Sequence, residues 1–290
     1  MKQIVVTIGL IAAVLLAGCA QATPAATPAP KPTVAIPGQE GSRMVDVGGH
    51  KLFTRLRGQD HPGPLVVLEH GYGSSWSAWD RVAMLAEDLA PVLAYGRAGY
   101  GTSEVGPDPR TAERIADELH ALLAATKFPP PYVLVGHSFG GFILRAFAAK
   151  YPADVAGLVL VDGAHEDLDQ VFKEIAPAKF AESEAAAETW RATKAPKGAI
   201  QEYAAMEQTR EQMRQITSLP DVPAVILSAG LGEAGDPPEL RKEFTALQYQ
   251  WLALLPHGRQ VVVEDSGHQI PMTHPKPVVD AIREVLDAVR

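Results

Sequence analysis

The pentapeptide Gly136-His137-Ser138-Phe139-Gly140 lies between an apolar run, Tyr132-Val133-Leu134-Val135, and a stretch of helical composition, Gly141 to Lys150. A serine bracketed by glycines at a strand-to-helix junction predicts a tight turn that lifts its hydroxyl to the rim of a sheet. A side chain at Gly136 or Gly140 would crowd that turn and hold the helix off the strand. A serine hydroxyl is a weak nucleophile near neutral pH. It needs a base within hydrogen-bond reach and a third group to orient that base. Of the nine histidines, His268 follows the last predicted strand directly, and Gly267 lets the chain turn there. His165 and His274 are alternatives that do not follow a strand. Three carboxylates compete for the third role. Asp162 ends the strand after the serine's, where an aspartate also suits a helix N-cap. Asp236 and Glu233 lie in the loop Leu231 to Pro237. Acyl transfer also needs donors for a developing oxyanion. The backbone N–H groups of Phe139 and of Tyr72, in His70-Gly71-Tyr72-Gly73, are the candidates. His70 itself reads as structural.

Short, almost wholly apolar runs mark the strands that must carry these residues: 65–69, 92–95, 132–135, 157–161, 222–227 and 261–263. Residues 45–47 and 51–56, joined through Gly48-Gly49, read as an opening hairpin. Helical periodicity fills 77–89, 111–126, 141–150 and 277–289. Apolar strands alternating with helices describe an α/β fold, a mostly parallel sheet covered on both faces. Reactive residues in such sheets lie beyond the carboxyl ends of the strands. About 165–219 breaks the alternation and reads as a small helical cap between two strands. Its Phe172, Phe180, Trp190, Tyr203, Met206 and Met213 either line an acyl pocket or pack the cap on the core. Its Glu182, Glu184, Glu188 and Glu202 read as a solvated helix face rather than a site for a free amine.

The 290-residue chain is 47% hydrophobic and 21% charged, with net charge −8, which speaks against nucleic acid as a partner. Its single cysteine, Cys19, rules out an internal disulfide. Met1-Lys2-Gln3, an apolar segment and the ending Leu16-Ala17-Gly18-Cys19 make a secretory signal. That ending resembles the bacterial lipobox, which implies cleavage after residue 18 and a lipid on Cys19. Ala20 after the cysteine fits transfer to an outer membrane. Residues 19–41, rich in Pro, Ala and Thr, read as a tether, with the folded domain over 42–290.

The order of strand, His-Gly, elbow serine, cap and late histidine resembles the α/β-hydrolase superfamily over roughly Ser42 to Arg290. The stretch Pro131 to Gly141, with Tyr151-Pro152 and Gly157 to Asp162, is similar to bacterial esterase-like members. The resemblance implies a Ser-His-acid triad of Ser138, His268 and Asp162, no cofactor, and a small ester-like substrate. Serine at the elbow sets the chain apart from relatives that use aspartate for dehalogenation or epoxide opening. Two positions depart from the pattern. Gly96 stands where members carry aspartate, which bears on the rigidity of that loop. Ser74 stands where a further glycine is common, which bears on the second oxyanion donor.

Overall fold

Eight strands form one sheet in the order β1–β2–β4–β3–β5–β6–β7–β8. They are β1 Gly41–Asp46, β2 Lys51–Arg57, β3 Val66–Glu69, β4 Val92–Tyr95, β5 Tyr132–His137, β6 Val155–Val161, β7 Ala224–Ala229 and β8 Gly258–Val263. This is a computed structural model, and it describes residues 41–126 and 128–290. Cys19, its signal and nearly all of the tether lie outside the described residues. Among those residues no helix is long and apolar enough to cross a membrane.

The opening hairpin turns through Gly48 and Gly49, both at positive φ, and Asp46 Oδ1 accepts both of their N–H groups. From β4 to β8 the pairing is parallel. Strands β3 to β7 are buried along their length, as apolar runs on a sheet covered on both sides require. One face packs on helices α2 Ala112–Ala124 and α3 Gly140–Lys150, the other on α1 Asp80–Ala86 and α10 Pro275–Val289. The expected helix over 77–89 is shorter: a 3-10 turn, Trp76–Trp79, precedes α1.

Four helices intervene between β6 and β7: α4 Leu168–Ile175, α5 Pro177–Thr193, α6 Lys197–Ala204 and α7 Met206–Arg214. The large apolar cap residues singled out from the sequence are packed into cores. Phe172 and Phe180 join a satellite core, and Trp190, Met206 and Met213 join the main one. The reading of the cap glutamates needs correction. Glu182 and Glu188 are exposed, but Glu184 and Glu202 are buried.

One further helix, α8 Pro238–Tyr249, follows β7 and is absent from the sequence reading. Its Leu240, Phe244 and Leu247 recur at helical spacing and complete the satellite core with Leu168, Phe172 and Phe180. The short α9, Ile270–Thr273, leads into α10.

Candidate active site

Ser138 follows β5 at φ +54°, and Asp162 follows β6 at φ +39°. Among the described residues they are the two non-glycine positions with positive φ. Such a conformation costs about 1–3 kcal/mol at each residue and needs surrounding structure to hold it. Ser138 N–H donates to Val161 O at 3.1 Å, and Ser138 O accepts from Gly141 and Ala164 at 2.9 Å each. Asp162 N–H donates to Leu227 O at 2.6 Å. The elbow glycines are needed for space. A Cβ on Gly140 would sit 2.6 Å from Glu69 O, and one on Gly136 2.8 Å from Leu144 Cδ1.

Of the three carboxylates left open by the sequence, the structure joins Asp162 to His268, with Nδ1 and Oδ2 2.7 Å apart. Asp236 instead accepts Glu233 N–H at 3.0 Å. Asp162 Oδ1 also accepts from Ala229 N–H and Gln248 Nε2 at 3.0 Å each, and Oδ2 from Arg241 Nη1 at 3.1 Å. Burial alone would raise this carboxyl, but the Arg241 charge, His268 and the Ala229 N–H outweigh it. Its pKa therefore falls well below the usual carboxylate range. Facing an ionised acceptor, His268 Nδ1 carries the hydrogen, which leaves Nε2 as the basic nitrogen.

His268 sits on a loop that His137 secures. His137 Nε2 donates to His268 O at 2.8 Å. Burial, with the nearby His268, pushes the His137 pKa down to about 3, so this ring is a neutral fixture. The two alternative histidines are elsewhere engaged: buried His165 stacks on Trp251, and His274 bonds Thr273. His137 is readable only as the variable position of the pentapeptide. Gln248 and Arg241, one helical face apart by seven residues, are readable only once α8 is recognised.

Ser138, Asp162 and His268 line one cavity with Leu168, Leu231 and Phe244, and with Glu233, Asp236 and Arg241. No hydrogen bond joins Ser138 to His268 in this structure. The cavity leaves ≈ 30 Å³ for the centre of a water-sized sphere, about one or two waters.

The His70–Gly73 segment packs beside the elbow: a Cβ on Gly71 would lie 3.2 Å from both Ser138 Cβ and His137 Nδ1. Tyr72 meets Phe139 ring to ring at 6.3 Å. Among the described residues, the backbone N–H groups of Tyr72 and Phe139 have no protein acceptor. Arg97 holds this segment from beneath. It donates to His70 O, to Gly71 O at 3.1 Å, and to Glu69 Oε1 at 2.6 Å. Its Nε and Nη2 clamp Glu202 of α6 at 2.7 and 3.1 Å. Tyr100 OH completes the link, donating to Glu202 and accepting Gly73 N–H. The loop that Gly96 leaves without an aspartate is thus stiffened by its neighbour.

Arg97, Glu69 and Glu202 are all essentially excluded from solvent. Removing one partner of such a cluster leaves charge buried without compensation. Arg97→Met should therefore cost about 3–5 kcal/mol in urea unfolding. Arg259→Met, which removes the exposed pair with Glu284, should cost under about 1 kcal/mol. Equal losses would show that the buried cluster does not hold the fold.

A family model described as "Alpha/beta hydrolase family" matches residues 65–281. Among curated proteins, "Uncharacterized protein YqjL" of Bacillus subtilis is 38% identical over 105 residues, covering 36% of this chain and 42% of its own length. The chain spans less than half the length of the first curated relatives it matches. Among solved structures, a thermophilic esterase from Thermogutta terrifontis is 26% identical at TM-score 0.61, over 83% of this chain and 94% of that one. The epoxide hydrolase CorEH superposes at TM-score 0.66 with 17% identity, over 86% and 99%; at that identity the likeness speaks for fold alone.

Proposed function

The chain belongs to the alpha/beta hydrolase family, and from that premise we propose that it is a serine hydrolase cleaving carboxylic esters through an acyl-enzyme on Ser138. The observation that carries this reading is the 2.7 Å bond between His268 and Asp162 at a cavity that Ser138 also lines. In the proposed reaction Ser138 Oγ attacks the ester carbonyl while His268 Nε2 takes its proton. Asp162, kept ionised by Arg241 and its hydrogen bonds, stabilises the imidazolium. The N–H groups of Tyr72 and Phe139 meet the oxyanion as it forms. Collapse expels the alcohol, which takes the proton from His268. Water then repeats the sequence and releases the acid.

The test is hydrolysis of p-nitrophenyl esters, acetate to palmitate, by the purified full-length chain, with a fluorophosphonate probe to mark the reactive residue. Turnover with the probe on the peptide holding Ser138 is the expected result. No turnover together with no labelling would overturn the reading.

We further propose export and lipid anchoring to the cell envelope through Cys19, on the strength of Leu16-Ala17-Gly18-Cys19. Cys19→Ala should move the protein from the membrane fraction to the soluble one. Unchanged membrane association would sink the anchor.

A further inference from the structure

Arg241 has more hydrogen-bonding capacity than the protein uses. Nη1 donates to Asp162, but Nε and Nη2 are buried and meet no protein acceptor. Among the described residues it is the one arginine with two such nitrogens. Nε–H and Nη2–H point the same way along one edge of the planar guanidinium, a fork that matches the two oxygens of a carboxylate. Elsewhere the chain fills this edge in just that manner. Arg97 holds Glu202 through Nε and Nη2 at 2.7 and 3.1 Å, and Arg259 holds Glu284 through the same two atoms.

Arg241 lines the same cavity as Ser138 and His268, with Leu168, Leu231 and Phe244 as its apolar walls. Arg241 Nη1 and His268 Nδ1 bond the same oxygen, Asp162 Oδ2, so the guanidinium and the imidazole are near neighbours. We propose that the free edge of Arg241 recognises a carboxylate on the acyl part of the substrate, so that the preferred esters are half-esters of short dicarboxylic acids.

This specificity rests on the serine-hydrolase reading. Charge favours a carboxylate over a phosphate. The Arg241 cation is already shared with Asp162, and Asp236 and Glu233 line the same cavity. A dianion would meet more repulsion there than a planar monoanion does.

The test compares kcat/KM of the purified full-length chain for p-nitrophenyl hydrogen glutarate and p-nitrophenyl valerate, which share acyl length and differ in charge. Wild type should favour the glutarate by roughly tenfold or more. Arg241→Gln should erase that preference, and Arg241→Lys, which keeps the charge without the fork, should retain part of it. Both rates fall in Arg241→Gln because Asp162 loses a partner, so the ratio is the readout. A wild type without the preference, or a ratio unchanged in Arg241→Gln, overturns the proposal while Ser138 labelling leaves the hydrolase reading standing. If neither ester turns over and Ser138 stays unlabelled, the hydrolase reading fails separately. Calorimetric titration of glutarate then decides the site: binding lost in Arg241→Gln supports it, and no binding to wild type overturns it.

Discussion

Ser138→Ala should lower kcat for p-nitrophenyl esters by about 10⁴–10⁶-fold, the usual loss when a triad nucleophile is removed. KM should change little, because Ser138 Oγ makes no hydrogen bond on which the cavity depends. Stability should hardly move either: alanine at φ +54° is strained much as serine is. Ser138→Gly should be as inactive but somewhat more stable, since glycine adopts that φ without the side-chain clash. Urea unfolding of the two variants beside single-turnover kinetics separates the effects. Activity within tenfold of wild type in Ser138→Ala would remove Ser138 from the chemistry.

Asp162→Asn should lower kcat by about 10⁴-fold, the loss seen when the acid of such a triad becomes an amide and the histidine is held in the wrong tautomer. Asp236→Asn and Glu233→Gln should each stay within about tenfold, since neither carboxylate bonds His268. The reverse ranking would reassign the acid. The substitution also has an acid-stability signature. The Asp162 carboxyl is depressed in the folded state, so its contribution is complete above the unfolded value of about 3.9. It is lost as pH falls below that value. Wild type should thus exceed Asp162→Asn in stability at neutral pH, with the gap narrowing below about pH 4.

Ser138 and His268 are legible in the sequence, with Asp162 as one of three candidate acids, because each follows an apolar strand and a parallel sheet brings the ends of such strands together. The choice among three acids is not legible in that way. What favours Asp162 is tertiary: α8 brings Arg241 and Gln248 to it across 79 and 86 residues. The helix itself leaves a trace, Pro237-Pro238 followed by Leu240, Phe244 and Leu247. Its partners depend on tertiary packing, which no local pattern encodes. Gly96 teaches the same lesson from the other side. Read locally, the missing aspartate loosens the loop. In the fold, Arg97 reaches Glu202, 105 residues away, and supplies the stiffness. Burial likewise turns Glu202 from an apparently solvated residue into a counter-ion.

That counter-ion limits how far the helical insert can be treated as an exchangeable module. A cap transplanted from another hydrolase to alter substrate range would have to bring its own acid to the position of Glu202. Without one, the host would hold a half-neutralised guanidinium beneath the loop that carries Tyr72. Libraries aimed at new substrates are better confined to Leu168, Leu231 and Phe244, which line the cavity and carry none of that charge.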